Sequence, residues 1–346
     1  LTDGVNNIAI GHGALKEHTG GARNIAIGHG AMDETGGTSS SASNYNVALG
    51  WNALGGDWST DADGESNFNV AIGSSAMDAA MYGALGNTSV GHATLSALTT
   101  GDYNVAIGPN ALSVVNSGAN NIAIGSLAGD AMTDNANNIA IGVESFSTAN
   151  SGEGGNIAIG TSAGDSIDHA DSDNNIIIGI DAGRGGGAAM ISCIAIGDSA
   201  MNSTAANAQT GTIAIGSSAL TALTSGAGNV AVGYQAGDAI TSAGQNTAIG
   251  TGALGTLVDG DQNTAIGYNA MASGTHTSYN FNTVVGANAG DSFTSVGIEY
   301  VTVLGANAVG GALTAAANGT VAVGESALSS LTTGTSNVAV GYQAGY

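Results

Sequence analysis

The chain has 346 residues, of which 58 are glycine, one is proline and 4% are aromatic; Lys16, Arg23 and Arg184 alone oppose 26 carboxylates, for a formal charge of −23. Such a polyanion repels nucleic acid and anionic lipid. The lack of proline and of a Gly-X-Y period excludes collagen, and apolar residues recurring in register argue against disorder. No apolar run reaches the roughly 18 residues of a membrane-spanning helix and no signal peptide is visible, while the lone Cys193 rules out a disulfide within the chain.

One motif, Asn-x-Ala-Ile-Gly-x-x-Ala, organises everything else. Its glycine falls at Gly11, Gly28, Gly50, Gly73, Gly91, Gly108, Gly125, Gly142, Gly160, Gly179, Gly197, Gly216, Gly233, Gly250, Gly267, Gly286, Gly305, Gly324 and Gly341. Eight of the eighteen spacings are 17 residues and none is shorter. A hard floor with variable excess predicts one solenoid turn per copy, insertions being tolerated in one loop. Residues 1–346 then form a single continuous array, an all-β parallel solenoid of about 19 rungs.

Counting from that glycine, position −1 is Ile, Val or Leu in all nineteen copies, −3 is Ile, Val or Thr, and −2 is Ala in fifteen. A period of two with β-branched residues predicts a strand. Its −3 and −1 side chains share one face and −2 takes the other; both faces are apolar and should be covered. Beyond the glycine, +3 is Ala in seventeen copies, and +4 or +7 carries a larger apolar residue such as Leu112 or Met132. This predicts two short strands per rung, joined by a tight turn at the glycine.

In chain order, Leu1-Thr2-Asp3-Gly4 matches the repeat end Leu98-Thr99-Thr100-Gly101. Neither end reads as a capping turn, so the chain is expected to be a segment of a longer fibre. His12 and His29 share position +1 on successive rungs and should stack. Insertions at about 33–45 and 55–68 share one loop of adjacent rungs; the second carries Asp57, Trp58, Asp61, Asp63 and Glu65. Asp61-Ala62-Asp63-Gly64 partly matches a calcium loop, although the final Glu is missing. Asp61 and Asp63, with Asp171 and Asp173 of a later loop beside Asp168, are the calcium candidates; solvated carboxylates are the alternative. Asp130, Asp165, Asp238 and Asp291 each follow a +4 glycine, too regularly for a single site, and should cap a turn. Trp51, Tyr234, Tyr268 and Tyr342 occupy +1 and, with Trp58, could form an aromatic platform for glycan.

Position −4 is Asn at Asn7, Asn24, Asn46, Asn69, Asn87, Asn104, Asn121, Asn138, Asn156, Asn175, Asn229, Asn246, Asn263, Asn282 and Asn337. Stacked rungs would place these amides roughly 4.8 Å apart, close enough for a structural asparagine ladder. Cys193, Thr212, Val301 and Thr320 would break it.

The run Asn104 to Ala111, and that from Asn69 to Ala76, resembles the head repeat of the YadA-like trimeric autotransporter adhesins. The form Asn229-Val230-Ala231-Val232-Gly233-Tyr234-Gln235-Ala236, leading to Asn246-Thr247-Ala248-Ile249-Gly250, is similar to repeats of phage-type tail-fibre proteins that end in a self-cleaving chaperone domain. The resemblance covers essentially the whole chain and implies a homotrimeric, left-handed parallel β-roll used for display and attachment. The repeat is longer than that of the adhesin heads, and no anchor, stalk or chaperone domain is visible.

The expected function is that of a phage tail-fibre segment serving attachment to a host surface, with itself and a host receptor or glycan as partners and an extracellular location. The alternatives are the head of a trimeric cell-surface adhesin and a monomeric ligand- or ice-binding solenoid; against the last, Thr at −3 occurs only at Thr88, Thr247, Thr264, Thr283 and Thr302. Every recurrent polar position has a structural explanation, so no catalysis and no cofactor other than calcium is expected.

Overall fold

The computed structural model describes residues 4–35, 43–58, 65–186, 188–203, 208–273, 279–293, 297–311 and 317–346. Two compact units, Leu1–Asn174 and Asn175–Tyr346, divide the chain. Both are parallel β-solenoids, and no α-helix occurs among the described residues.

The first unit carries β1 (Ile8–Ile10), β2 (Ile25–Ile27), β3 (Val47–Leu49), β4 (Val70–Ile72), β5 (Thr88–Val90), β6 (Val105–Ile107), β7 (Ile122–Ile124), β8 (Ile139–Ile141) and β9 (Ile157–Ile159). Successive strands pair in parallel with position matched to position, as in Ile8↔Ile25, Ala9↔Ala26 and Ile10↔Ile27. The long insertions leave this register intact: Val47 pairs with Ile25 below and Val70 above.

The second unit carries β10 (Ile176–Ile178), β11 (Met190–Ile191), β12 (Ile194–Ile196), β13 (Gln209–Thr210), β14 (Ile213–Ile215), β15 (Val230–Val232), β16 (Thr247–Ile249), β17 (Thr264–Ile266), β18 (Thr283–Val285), β19 (Thr302–Leu304), β20 (Val321–Val323) and β21 (Val338–Val340). The same register runs through it, while β11 and β13 form a separate two-stranded patch. Among the described residues, nineteen three-residue strands thus match the nineteen motifs.

The expected second strand does not form. After the motif glycine the chain makes successive turns with positive φ at +2 and +4, as at Asn110 (57°) and Leu112 (50°). This path still bonds rung to rung: Leu112 N–H donates to Ala128 O at 3.0 Å and Asn110 N–H to His92 O at 2.9 Å, so donors alternate between the rung above and the rung below. Left-handed φ at a bulky residue costs of order 1–3 kcal/mol; full burial of Leu112 and its counterparts holds it in place.

Packing assigns the two strand faces. Ala26, Ala48, Ala71 and Ala106 at −2 are fully buried, as are +3 alanines such as Ala111 and residues such as Met32, Leu54 and Leu112 at +4. At +4 glycines other side chains fill the space: a Cβ on Gly129 would lie 2.9 Å from Leu112 Cδ2 and 3.1 Å from Met132 Cε at +7, and one on Gly183 would lie 3.0 Å from Ile177 Cγ2 at −2. The −3 and −1 residues point outward. Ile27, Ile72, Ile107 and Ile124 remain 37–38% exposed, so the chain itself covers one strand face rather than both.

The motif glycine is required twice over. Gly108 has φ +122°, and a Cβ there would meet Gly125 O at 2.6 Å and Gly125 C at 2.7 Å; the same approach recurs at the other motif glycines that have a rung above them within their unit.

Candidate functional site

Three columns of side chains run along each unit. The first is the asparagine column, which bonds more to backbone than to other amides. In the first unit each Oδ1, from Asn7 to Asn138, accepts the backbone N–H of the asparagine one rung on at 2.8–3.0 Å. Each Nδ2 from Asn7 to Asn156 donates to the −7 carbonyl of that next rung at 2.7–2.9 Å. Direct amide contacts, such as Asn104 Nδ2 to Asn87 Oδ1 at 3.1 Å, are additional. In the second unit the Oδ1 atoms of Asn175, Asn229, Asn246, Asn263 and Asn282 accept the N–H of the −4 residue one rung on, Cys193 and Val301 included, at 2.9–3.2 Å, and Asn337 Nδ2 donates to Gly334 O within its own rung.

The expected breaks are visible. Cys193 replaces the amide with a thiol 3.6 Å from Gln209 O, and burial pushes that thiol's pKa up. Thr212 Oγ1 and Thr320 Oγ1 are buried without a hydrogen-bond partner.

A second Asx column, at −6, reaches the opposite way. Asp102 Oδ1 accepts Leu85 N–H at 2.8 Å, Asp173 Oδ1 accepts Gly154 N–H at 2.7 Å and Asp261 Oδ1 accepts Gly244 N–H at 2.7 Å, each one rung back. Asp173 is therefore occupied by backbone. Asp171 takes part in a local turn in which its N–H donates to His169 Nδ1 at 3.2 Å, with its exposed carboxylate 3.8 Å from the same ring atom. Asp61 and Asp63 lie outside the described residues, among which no group of three or more His, Cys, Asp or Glu could hold a metal ion.

Aromatic side chains form the third set. His12 and His29 stack as expected, centroids 5.0 Å apart at 17°. Trp51, Tyr234, Tyr268 and Tyr342 are exposed, whereas Trp58 is 5% exposed, buried instead of displayed. A further column at −5, not anticipated, is more continuous. Arg23 lies 5.2 Å over the Tyr45 ring and donates to Tyr45 Oη at 3.0 Å; Tyr45 stacks on Phe68 at 4.9 Å and, in the second unit, Phe281 on Tyr300 at 5.2 Å. The available signal was the residue before the motif asparagine, which is aromatic at Tyr45, Phe68, Tyr103, Phe281 and Tyr300 and Gly or Asn, types that tolerate the positive φ found there, at several other rungs.

A cleft of about 230 Å³ is lined by Ser242, Ala243, Asp259, Gly260, Asp261 and Asn280. Its carboxylates are engaged: Asp259 with the Ser242 and Thr241 hydroxyls, Asp261 with Gly244 N–H. None of this assembles a nucleophile with a base. No helix among the described residues is long and apolar enough to cross a membrane. No protein-family model, curated protein or solved structure matches the chain.

Proposed function

We propose that the chain is a non-catalytic shaft or head segment of an extracellular attachment fibre, joined to two further copies of itself along the outward −3/−1 ridge. A phage tail fibre is the reading favoured by the repeat resemblance, with a trimeric cell-surface adhesin as the alternative setting. The carrying observation is the division of the strand: alanine inward, and Ile or Val outward on rung after rung, with Ile107 38% and Ile124 37% exposed. Contiguous apolar surface of this extent marks an association face. The number three comes from the repeat resemblance. Three chains bring 3 × −23 = −69 charges, which favours an apolar axis with carboxylates outside. Mass measurement of the unmodified chain in solution tests the reading: a trimer supports it, and a stable monomer overturns it.

A second reading, a monomeric solenoid binding an ordered ligand such as ice, draws on one observation. Thr247, Thr264, Thr283 and Thr302 stand in register on four successive rungs of the outward face. The expected product of that reading is inhibition of ice recrystallisation by the monomer, lost in Thr264→Leu.

A further inference from the structure

Glu153 is fully buried. It stands at −7, a column that elsewhere carries Ser43, Ser66, Gly101 and Gly118. Oε2 accepts from Asn135 Nδ2 at 2.5 Å, and Oε1 has no hydrogen-bond partner. The groups around it are acidic. In the loop below, Asp134 Oδ1 accepts Gly152 N–H at 3.2 Å; in the loop above, Asp173 Oδ1 accepts Gly154 N–H at 2.7 Å. That upper loop also holds Asp168, Asp171 and His169, the imidazole facing Asp171. No lysine or arginine lies in either loop; Lys16 and Arg184 sit beside Glu17 and Asp181, and Arg23 on Tyr45.

An ionised carboxylate in that place would be a buried charge met by the Asn135 amide and the backbone amides near it but by no counter-ion, which folding tolerates poorly. The neutral acid leaves only a hydroxyl unpaired. We propose that a proton is a structural ligand of this rung: Glu153 is held in the fold as the carboxylic acid, and the first unit tightens on acidification and loosens as Glu153 ionises.

Desolvation raises the Glu153 pKa, and the Asp168 charge adds to it, against lowering by the bond to Asn135 and by nearby backbone amides. The folded state then retains the proton at a pH where the unfolded chain has lost it. Stability contributed by this group falls as pH rises from the unfolded glutamate value through the folded one, and is level below both.

The test is thermal unfolding of the full chain and its Glu153→Gln variant at about pH 4 and about pH 8, since glutamine mimics the neutral acid. Equal melting temperatures at the lower pH, with the variant several degrees higher at the upper, are expected. Identical behaviour at both, or a variant destabilised equally at both, overturns the proposal. Should the variant not fold, the unmodified chain labelled with ¹³C at its glutamate carboxyls decides: one carboxyl titrating above the ordinary glutamate range supports the proposal, and none doing so sinks it. A melting temperature raised at the upper pH by calcium or sodium chloride in the unmodified chain, and unmoved in Glu153→Gln, would assign a cation instead of a proton.

Discussion

Asn104 Oδ1 accepts the backbone N–H of Asn121 at 3.0 Å, and Asn104 Nδ2 donates to Gly118 O at 2.8 Å, so one side chain satisfies two backbone groups of the next rung. Truncating it leaves both groups buried and unpaired, at about 1–3 kcal/mol each. Asn104→Ala should therefore destabilise by about 2–6 kcal/mol in denaturant unfolding. Asn337→Ala, whose amide bonds only Gly334 O, should lose less. Equal losses would mean that the rung-to-rung bonds add nothing.

Gly108→Ala is expected to prevent folding, because the new Cβ would overlap Gly125 O at 2.6 Å and φ is +122°. Gly211→Ala is the control: φ is +62° and nothing lies within 4 Å, leaving only left-handed strain of about 1–2 kcal/mol. Circular dichroism of the two variants checks this, and a folded Gly108→Ala would show that the rungs can separate.

The solenoid and its register follow from the motif spacing, but the inward face of the strand does not. Ala106 and the pair Val105 and Ile107 are all apolar, and a period of two cannot say which side meets the coil. The answer lies in the small +3 residue: Ala111 leaves a space narrow enough for a −2 alanine, and at the one rung with Ser89 at −2 the +3 residue is Thr94, its hydroxyl bonded to the serine. The segment after the glycine is not a strand because its backbone alternates in handedness, left-handed at Asn110 and Leu112 and not at Pro109 and Ala111, which leaves no hydropathy trace. Glu153 gave no signal at all, since a loop glutamate beside two glycines reads as solvated.

His18 supplies a pH response of opposite sign to that of Glu153. It is 1% exposed, with Nε2 3.2 Å from Asn24 Nδ2 and Nδ1 3.0 Å from Thr35 Oγ1. The amide can only donate, so Nε2 accepts and the ring is neutral with its proton on Nδ1. Desolvation lowers the His18 pKa. The unfolded chain therefore binds the proton first, and stability from this group is present above the ordinary histidine value near 6.5 and is lost as pH falls through it. His18→Gln should flatten that acid-side loss in melting temperature; an unchanged slope would exclude His18 as its source.

Outward placement of Ile107 separates assembly from folding. Ala106→Asp puts a carboxylate into the fully buried interior of the coil and should unfold it. Ile107→Asp leaves the coil of one chain intact, since that side chain is already 38% exposed. If three ridges meet on an axis, however, it gathers three unpaired carboxylates there, a penalty large enough to dissociate the assembly. Ser117→Asp, on an exposed loop, should be silent within about 0.5 kcal/mol. The expected pattern is a folded monomer for Ile107→Asp, the unmodified mass for Ser117→Asp and no folded product for Ala106→Asp. An Ile107→Asp chain that keeps the unmodified assembly mass would place the contact between copies somewhere other than this ridge.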